Sequence, residues 1–452
     1  MTSGITLQAM RRHRWAFLGP AATQTIAATV ISGAIMAARS MDTAPLTKPQ
    51  RHNLISPDVG AMNGVFIGSS VYMSILLVGV AMNLVISRQT RDIALLRAVG
   101  ATPSRIRRSA ALQAAIVALP SSVLGYGLGT LAGNAWISAL RSHGILPPQV
   151  TFHPDLLALP IVAGIELATS VLGSLVAAIR PARLRPARAL TDSATGRPRI
   201  GAFRTLLGVL LLAGGVVLAG IISKLDAKNA GDAAFFVMLA LCVGVGMLGP
   251  ILLRAIVGLA RPVTTALGGS GTARIAADNI AVLSRPLSGA LVPLVLAIGF
   301  AVVKVSMHTT AAHVTGTADA ATDVWLDYAG TGVYCVFAAS AALNTLITVM
   351  AGRRRALAVT RLAGADRRRI LGIVGVEAAI VLGTALALAV GVGMVTLAPM
   401  LHAQFHTWLP YMPPSYLFAG ILLAGGVVVG GMLVPAALLS RRRPIDVVMT
   451  VE

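Results

Sequence analysis

Ten windows of about 20 predominantly apolar residues recur along this sequence, and each is long enough for a helix to cross a hydrocarbon core of roughly 30 Å. Because backbone groups inside lipid must be hydrogen-bonded within their own segment, such windows predict helices. The predicted spans are 15–38, 64–86, 109–134, 156–179, 205–222, 234–259, 286–305, 328–350, 370–397 and 416–439. With 56% hydrophobic residues and a mean hydropathy of +0.80, the chain is predicted to be an all-α polytopic membrane protein.

The formal net charge of +21 reflects the loops between the spans. If the N-terminus is cytoplasmic, the great majority of the 37 Lys and Arg residues fall in cytoplasmic loops, as the positive-inside rule expects. Both termini are therefore predicted to be cytoplasmic, in a multi-pass protein of the plasma membrane surrounded by lipid. Nucleic-acid binding is not expected, because the basic residues follow the span ends.

A basic, helix-forming stretch occurs twice. The sequence RDIALLRAVGATPSRI at 91–106 aligns without a gap with RALAVTRLAGADRRRI at 355–370, at a constant offset of 264 positions. In the first copy Ile93, Leu96 and Val99 recur at helical spacing before a glycine that ends the helix. The pattern predicts a short amphipathic helix on the cytoplasmic side, which either lies on lipid headgroups or docks in a groove of a partner.

The repeat extends beyond this stretch, since AAIV at 114–117 recurs at 378–381. The chain is accordingly predicted to contain a four-helix repeat at 1–190, a linker with two transmembrane helices at 191–271 and a second four-helix repeat at 272–452. Each part holds an even number of spans, so both repeats point the same way through the membrane, unlike inverted repeats. The external loops are short, and no large extracellular domain is expected.

The motif RDIALLRAVGAT resembles the signature of the FtsX-like permeases, the transmembrane subunits of type VII ABC transporters, and PARLRPARAL at 181–190 resembles their end motif. The resemblance implies that each copy is a coupling element seated on a cytoplasmic ABC ATPase. It also implies that one permease chain with two elements serves an ATPase dimer. The positions that the resemblance marks for ATPase coupling are Arg91, Asp92, Ile93, Leu96, Arg97, Val99, Gly100, Ala101, Arg355, Leu357, Arg361, Gly364 and Ala365.

The two copies are not identical. Asp92 is matched by Ala356, and Leu96 is matched by Thr360. The two contacts with an ATPase are therefore not expected to be equivalent.

The chain has no G-x-x-x-x-G-K-[ST] motif, so it is not expected to bind nucleotide or to be an enzyme, and no catalytic residue is predicted. ATP and Mg²⁺ are expected to bind to the partner ATPase, and no cofactor to this chain. The pair His402 and His406 has helical spacing, but further ligands are lacking nearby, and no metal site is predicted.

Gln113, Glu166 and Glu377 are candidate functional residues inside predicted spans, where ionisable groups are costly and by default functional. Gln113 occupies the position that matches Glu377 in the second repeat, and a hydrogen bond between these two at the pseudo-symmetric centre is expected. For Glu166 two alternatives stay open, which are contact with a cationic substrate and pairing within the helix bundle.

The leading hypothesis is the permease subunit of an ABC transporter that exports or extracts a hydrophobic or amphiphilic compound with energy from a separate ATPase. One alternative is a non-transporting membrane subunit that passes the ATPase cycle on as a mechanical or regulatory signal. Another is a secondary transporter driven by an ion gradient, with Glu166 and Glu377 as proton carriers.

Overall fold

The computed structural model describes residues 17–46, 89–183, 201–224, 227–266, 271–317 and 320–441, together with scattered positions between 64 and 86. Within these ranges every extended regular element is an α-helix. The helices are α1 Leu18–Asp42, α2 Thr90–Ala98, α3 Pro103–Ser142, α4 Ala158–Arg183, α5 Ala202–Ile222, α6 Ala227–Ala266, α7 Gly271–Thr315, α8 Ala321–Gly352, α9 Arg354–Leu362, α10 Arg367–Phe405 and α11 Pro414–Leu439.

Nine of the described helices, all except α2 and α9, are long and apolar enough to cross a membrane. This confirms the prediction of an all-α polytopic membrane protein. The predicted span 64–86 contains helical positions such as Ser74 and Val78, and about half of it lies outside the described residues. Several helices extend beyond the predicted windows, as α3 does beyond 109–134, because an apolar window marks only the part of a helix that matches the lipid.

The chain divides into two compact units, Met1–Gly196 and Arg197–Glu452. In the first unit α1 packs against α3 and α4, and α3 packs against α4. Glycines on α3 allow the close approach of α1, since a Cβ on Gly125 would lie 2.3 Å from the Cβ of Ala28, and one on Gly129 would lie 1.9 Å from Oγ of Ser32. Ser32 also donates a hydrogen bond to the Gly125 carbonyl oxygen at 3.1 Å. The small residues thus allow the backbones of α1 and α3 to pack closely, as is common between membrane helices.

In the second unit the long helix α7 packs against α6, α8 and α10 and carries many of the unit's buried residues. The helices α5 and α6 pack against each other, and both contact α10. The two helices of the predicted linker therefore belong to the same compact unit as the second repeat.

Candidate coupling helices and intramembrane polar groups

The short helices α2 and α9 have nine residues each and lie at the same offset of 264 positions as the sequence repeat. Each is followed by a long helix that begins at the matching position, at Pro103 in the first half and at Arg367 in the second. The repeated motif is therefore also a repeat of helix boundaries.

The helix α2 ends in a Schellman motif. Gly100 has a positive φ of 98°, its N–H donates to the Arg97 carbonyl at 3.1 Å, and the N–H of Ala101 donates to the Leu96 carbonyl at 2.9 Å. These bonds pair carbonyl groups that would otherwise be left without a partner at the helix end.

The helix α9 ends in the same way. Gly364 has a φ of 94°, its N–H donates to Arg361 at 3.0 Å, and the N–H of Ala365 donates to Thr360 at 3.2 Å. A side chain is strained in this left-handed conformation, which explains why both copies of the motif carry glycine here.

The long helices that follow are capped by side chains at matching positions. Thr102 accepts a hydrogen bond from the Arg105 N–H at 3.4 Å, and Asp366 accepts one from the Arg369 N–H at 2.9 Å. Such N-caps fix where a helix begins. The turn between each short helix and its long helix is therefore fixed at one end by the glycine and at the other by the N-cap residue.

The face of α2 that meets the rest of the chain contains Ile93, which is 9% exposed. Ile93 belongs to a core cluster with Ile86, Ile106 and Ala178, the last of which lies on α4. Of the residues predicted to couple to an ATPase, Ile93 is therefore engaged by the chain itself. The side chains of Arg91 and Asp92 lie outside the described residues.

The opposite face of α2 is apolar and exposed. Leu95 and Leu96 are exposed, and Val99 is 90% exposed. On α9 the exposed apolar residues are Val359 and Leu362, each about half exposed, while Ala358 is buried. Both short helices thus present apolar side chains away from their own unit.

The basic residues of α9 are divided between the two sides. Arg355 is exposed, whereas the Arg361 guanidinium donates to the Ser440 carbonyl at 2.9 Å, just beyond the end of α11. Leu357 is half-buried. The second short helix is therefore tied to α11 through Arg361.

Gln113 and Glu377 each have a hydrogen-bond partner within their own half. The side-chain amides of Gln113 and Gln89 bond reciprocally at 3.4 and 3.5 Å. Glu377 accepts two hydrogen bonds from the Arg353 guanidinium, one of them at 2.9 Å, and one from Asn279 at 2.8 Å. Each pair connects the residue before the short helix to the long helix after it.

Sequence reasoning missed Gln89 and Arg353, although the repeat contains the signal that would have found them. Both lie at matching positions, 24 residues before their partners. The neutral Gln89–Gln113 pair of the first half corresponds to the charged Arg353–Glu377 pair of the second half. Both members of the pair differ together, as is expected for side chains in contact.

Glu166 differs from Glu377 in having no such partner. It is 0% exposed, and neither of its carboxylate oxygens has a hydrogen-bond partner among the described residues. A buried carboxylate without a partner is costly in a membrane helix and points to function.

No group of three or more His, Cys, Asp or Glu residues in the described part of the chain is placed to hold a metal ion. His402 stacks on Trp408 with ring centroids 4.2 Å apart, and His308 contacts Asp327 at 3.0 Å. These histidines therefore make aromatic and polar contacts within the second unit.

The fold and the paired short helices define a class, that of polytopic membrane proteins with repeated helical units and a short connecting helix in each. The sequence profile of the FtsX-like permease C-terminal family matches residues 64–186 and 331–444, which together make up more than half of the chain. The chain belongs to this family and contains two FtsX-like repeats. Comparison with curated protein sequences gave no significant match.

Each matched region contains one short helix, its terminal glycine and the long helix that follows. Membership of the family makes the chain an ABC-transporter-type permease subunit, and such subunits generally work with a cytoplasmic ABC ATPase.

Proposed function

We propose that this chain is the permease subunit of an ABC exporter, which exports or extracts a hydrophobic or amphiphilic compound with energy from a separate ATPase. ATP and Mg²⁺ bind to that ATPase and not to this chain. The observation that carries the proposal is the pair of nine-residue helices, each with an exposed apolar face and the same glycine terminus.

The exposed face of α2 has the character of a docking surface. Leu95, Leu96 and Val99 are apolar anchors, and Arg105 and Arg108 at the start of α3 are exposed beside them in sequence. Apolar anchors within a charged rim are typical of a helix that binds in a groove. A groove with acidic residues at its edge would complement this surface.

The contacts of α2 offer a path from such a partner to the membrane helices. Ile93 packs against Ala178 of α4, so a displacement of α2 acts directly on α4. In the second half Arg353 binds Glu377 of α10, and Arg361 binds the residue after α11. Closing of an ATPase dimer would thus move α4, α10 and α11.

Each copy of the coupling element would engage one ATPase subunit, so one permease chain would serve a dimer. The positive-inside distribution of Lys and Arg supports a plasma-membrane location with both termini in the cytoplasm. Both short helices then face the compartment that contains the ATPase.

The docking surface is tested by co-expressing the chain with each ABC ATPase from the same genome and measuring co-purification of the one that binds the wild type. Leu95→Glu together with Val99→Glu places charge in the apolar contact and is expected to lower the ATPase yield at least about tenfold, since interface anchors contribute 2 kcal/mol or more. Leu156→Glu is the matched control, because Leu156 is an exposed leucine next to the first turn of α4, on the predicted external side. An ATPase yield in the double variant equal to that of Leu156→Glu would refute docking through α2.

A further inference from the structure

In the described part of the first unit, four fully buried polar side chains lack hydrogen-bond partners. They are Gln24 on α1, Ser70 in the segment 64–86, and Glu166 and Ser170 on α4, each with 0% exposure. Both amide atoms of Gln24, both carboxylate oxygens of Glu166 and both serine hydroxyls are unpaired. Most buried polar groups in proteins are paired, so four unpaired groups in one helix bundle need an explanation.

The helices α1 and α4 run antiparallel. Arg39 near the end of α1 forms a salt bridge with Asp155, just before the start of α4. Further along, Ala28 and Ile31 of α1 share one core cluster with Val162 of α4. Residues that precede Ala28 on α1 are therefore level with residues that follow Val162 on α4.

This antiparallel order places the two unpaired side chains within about one helical turn of the same level. Gln24 lies four residues before Ala28, and Glu166 lies four residues after Val162. Residues four apart lie on one face of a helix. Gln24 and Glu166 therefore lie on the facing sides of α1 and α4.

Ser70 and Ser74, two described helical residues between α1 and α2 in the chain, lie on a third side of the cluster that contains Gln24 and Glu166. Ser74 Oγ lies 3.3 Å from Thr169 Oγ1, and Ser70 is one turn before Ser74. Ser170 follows Thr169 directly and is one turn after Glu166. The unpaired groups of three helical segments thus converge within the first unit.

The chemistry of this cluster is that of a receptor for a cation. Two carboxylate oxygens, one amide oxygen and two hydroxyl oxygens are acceptors, and a carboxylate in a low-dielectric site needs a positive partner. Glu377 has that partner in Arg353, and Glu166 has none among the described residues. An ammonium group supplies a positive charge and several N–H donors at once.

We propose that Gln24, Ser70, Glu166 and Ser170 bind the ammonium group of the amphiphilic compound that this permease carries. The proposal rests on the proposed function and narrows the cargo to compounds with a cationic amine. The second repeat has no equivalent of this carboxylate on its last helix, since α11 contains no Asp or Glu.

Access to the site depends on movement of α4, because its polar atoms are closed to solvent in this structure. The same helix carries Ala178, which packs against Ile93 of α2, and Ala178 lies about 18 Å along the helix from Glu166 at 1.5 Å per residue. A force on α2 therefore reaches the helix that carries the carboxylate. Docking and cargo binding would be coupled through α4.

The test measures binding of radiolabelled dodecylammonium to the purified chain in lipid nanodiscs without any ATPase, with N-acetyl dodecylamine as the neutral probe. Glu166→Gln is expected to weaken saturable dodecylammonium binding at least about tenfold, because a charge-assisted hydrogen bond is lost. Binding of the neutral probe should not change between the wild type and this variant.

A pair of serine variants provides the matched control. Ser170→Ala should weaken dodecylammonium binding several-fold. Ser174→Ala should leave it unchanged, because Ser174 is equally buried on α4 but its hydroxyl donates to the Val171 carbonyl of its own helix at 2.9 Å. The thermal unfolding temperature of each variant shows whether it is folded.

Absence of saturable dodecylammonium binding to the wild type, or equal binding by Glu166→Gln, would overturn the site and reduce Glu166 to a structural group or a proton holder. Neither result affects the co-purification of the ATPase, which tests the proposed function separately. Saturable binding that depends on Glu166 and on Ser170 but not on Ser174 supports the site.

Discussion

At residue scale, Gly100 and Gly364 determine how the two short helices end. Both have φ values above 90°, and no neighbouring atom lies within 4 Å of the place where a Cβ would stand. The requirement for glycine is therefore conformational rather than steric. A side chain there costs roughly 1–2 kcal/mol through the left-handed backbone alone, and helix α2 would relax towards a different exit direction.

Gly100→Ala is expected to lower the free energy of unfolding by about 1 kcal/mol and also to lower the yield of co-purified ATPase. The control is Gly144→Ala, because Gly144 has a positive φ of 71° and open space around it but lies at the other end of α3. Chemical denaturation should give similar losses of stability for both variants, and only Gly100→Ala should lose ATPase. Equal ATPase yields from the Gly100→Ala and Gly144→Ala variants would show that Gly100 is not needed for ATPase binding.

The division of the apolar residues of α2 was predictable only in part. Helical periodicity puts Ile93, Leu96 and Val99 on one apolar stripe, and the structure gives α2 as a helix with the expected glycine end. Periodicity does not say which apolar residues meet the chain's own core. Ile93 does so because Ala178 is brought beside it by α4, a contact that no local pattern reveals.

At element scale, the two halves fasten their short helices with different chemistry. Gln89 and Gln113 form a neutral pair with long hydrogen bonds. Arg353 and Glu377 form a buried, bidentate ion pair that Asn279 supports. A charge-assisted bidentate contact is stronger and more directional than an amide pair. We therefore expect the start of α9 to be held more firmly to α10 than the start of α2 is to α3.

The charged pair is tested by a double-mutant cycle. Arg353→Gln alone leaves the Glu377 carboxylate buried without its cation and is expected to destabilise the second unit by about 3–5 kcal/mol. Arg353→Gln with Glu377→Gln recreates the pair found in the first half and should recover most of that loss. The cycle is measured by thermal and chemical unfolding. A double variant as unstable as the single one would show that the neutral pair cannot replace the ion pair.

The boundaries of the repeated elements were the most predictable part of the fold. The offset of 264 positions read from the sequence holds for both ends of the short helices and for the starts of α3 and α10. It holds because the glycine end and the N-cap are local features with local sequence signals. The partners of Gln113 and Glu377, and the lack of a partner for Glu166 among the described residues, have no such local signal, because they depend on how the helices pack.

At the scale of the whole molecule, the two FtsX-like repeats differ at the residues proposed to bind cargo and at the short helices proposed to bind the ATPase. Glu166 on α4 has no carboxylate counterpart on α11, and α5 and α6 belong to the second unit. The exposed apolar residues of α2 and α9 also differ, with Val99 in one and Leu362 in the other. We expect both short helices to bind identical ATPase subunits but with unequal strength.

If both short helices dock as proposed, each on one subunit of an ATPase dimer, the complex has a defined subunit ratio. Native mass spectrometry of the co-purified complex is expected to give one permease chain with two ATPase subunits. Leu95→Glu with Val99→Glu should remove binding through α2, and Val359→Glu with Leu362→Glu should remove binding through α9. Each double variant should retain ATPase at a reduced yield, with the larger loss from the more tightly bound side, and the quadruple variant should retain none. A complex of two permease chains with two ATPase subunits would instead mean that only one short helix of each chain docks.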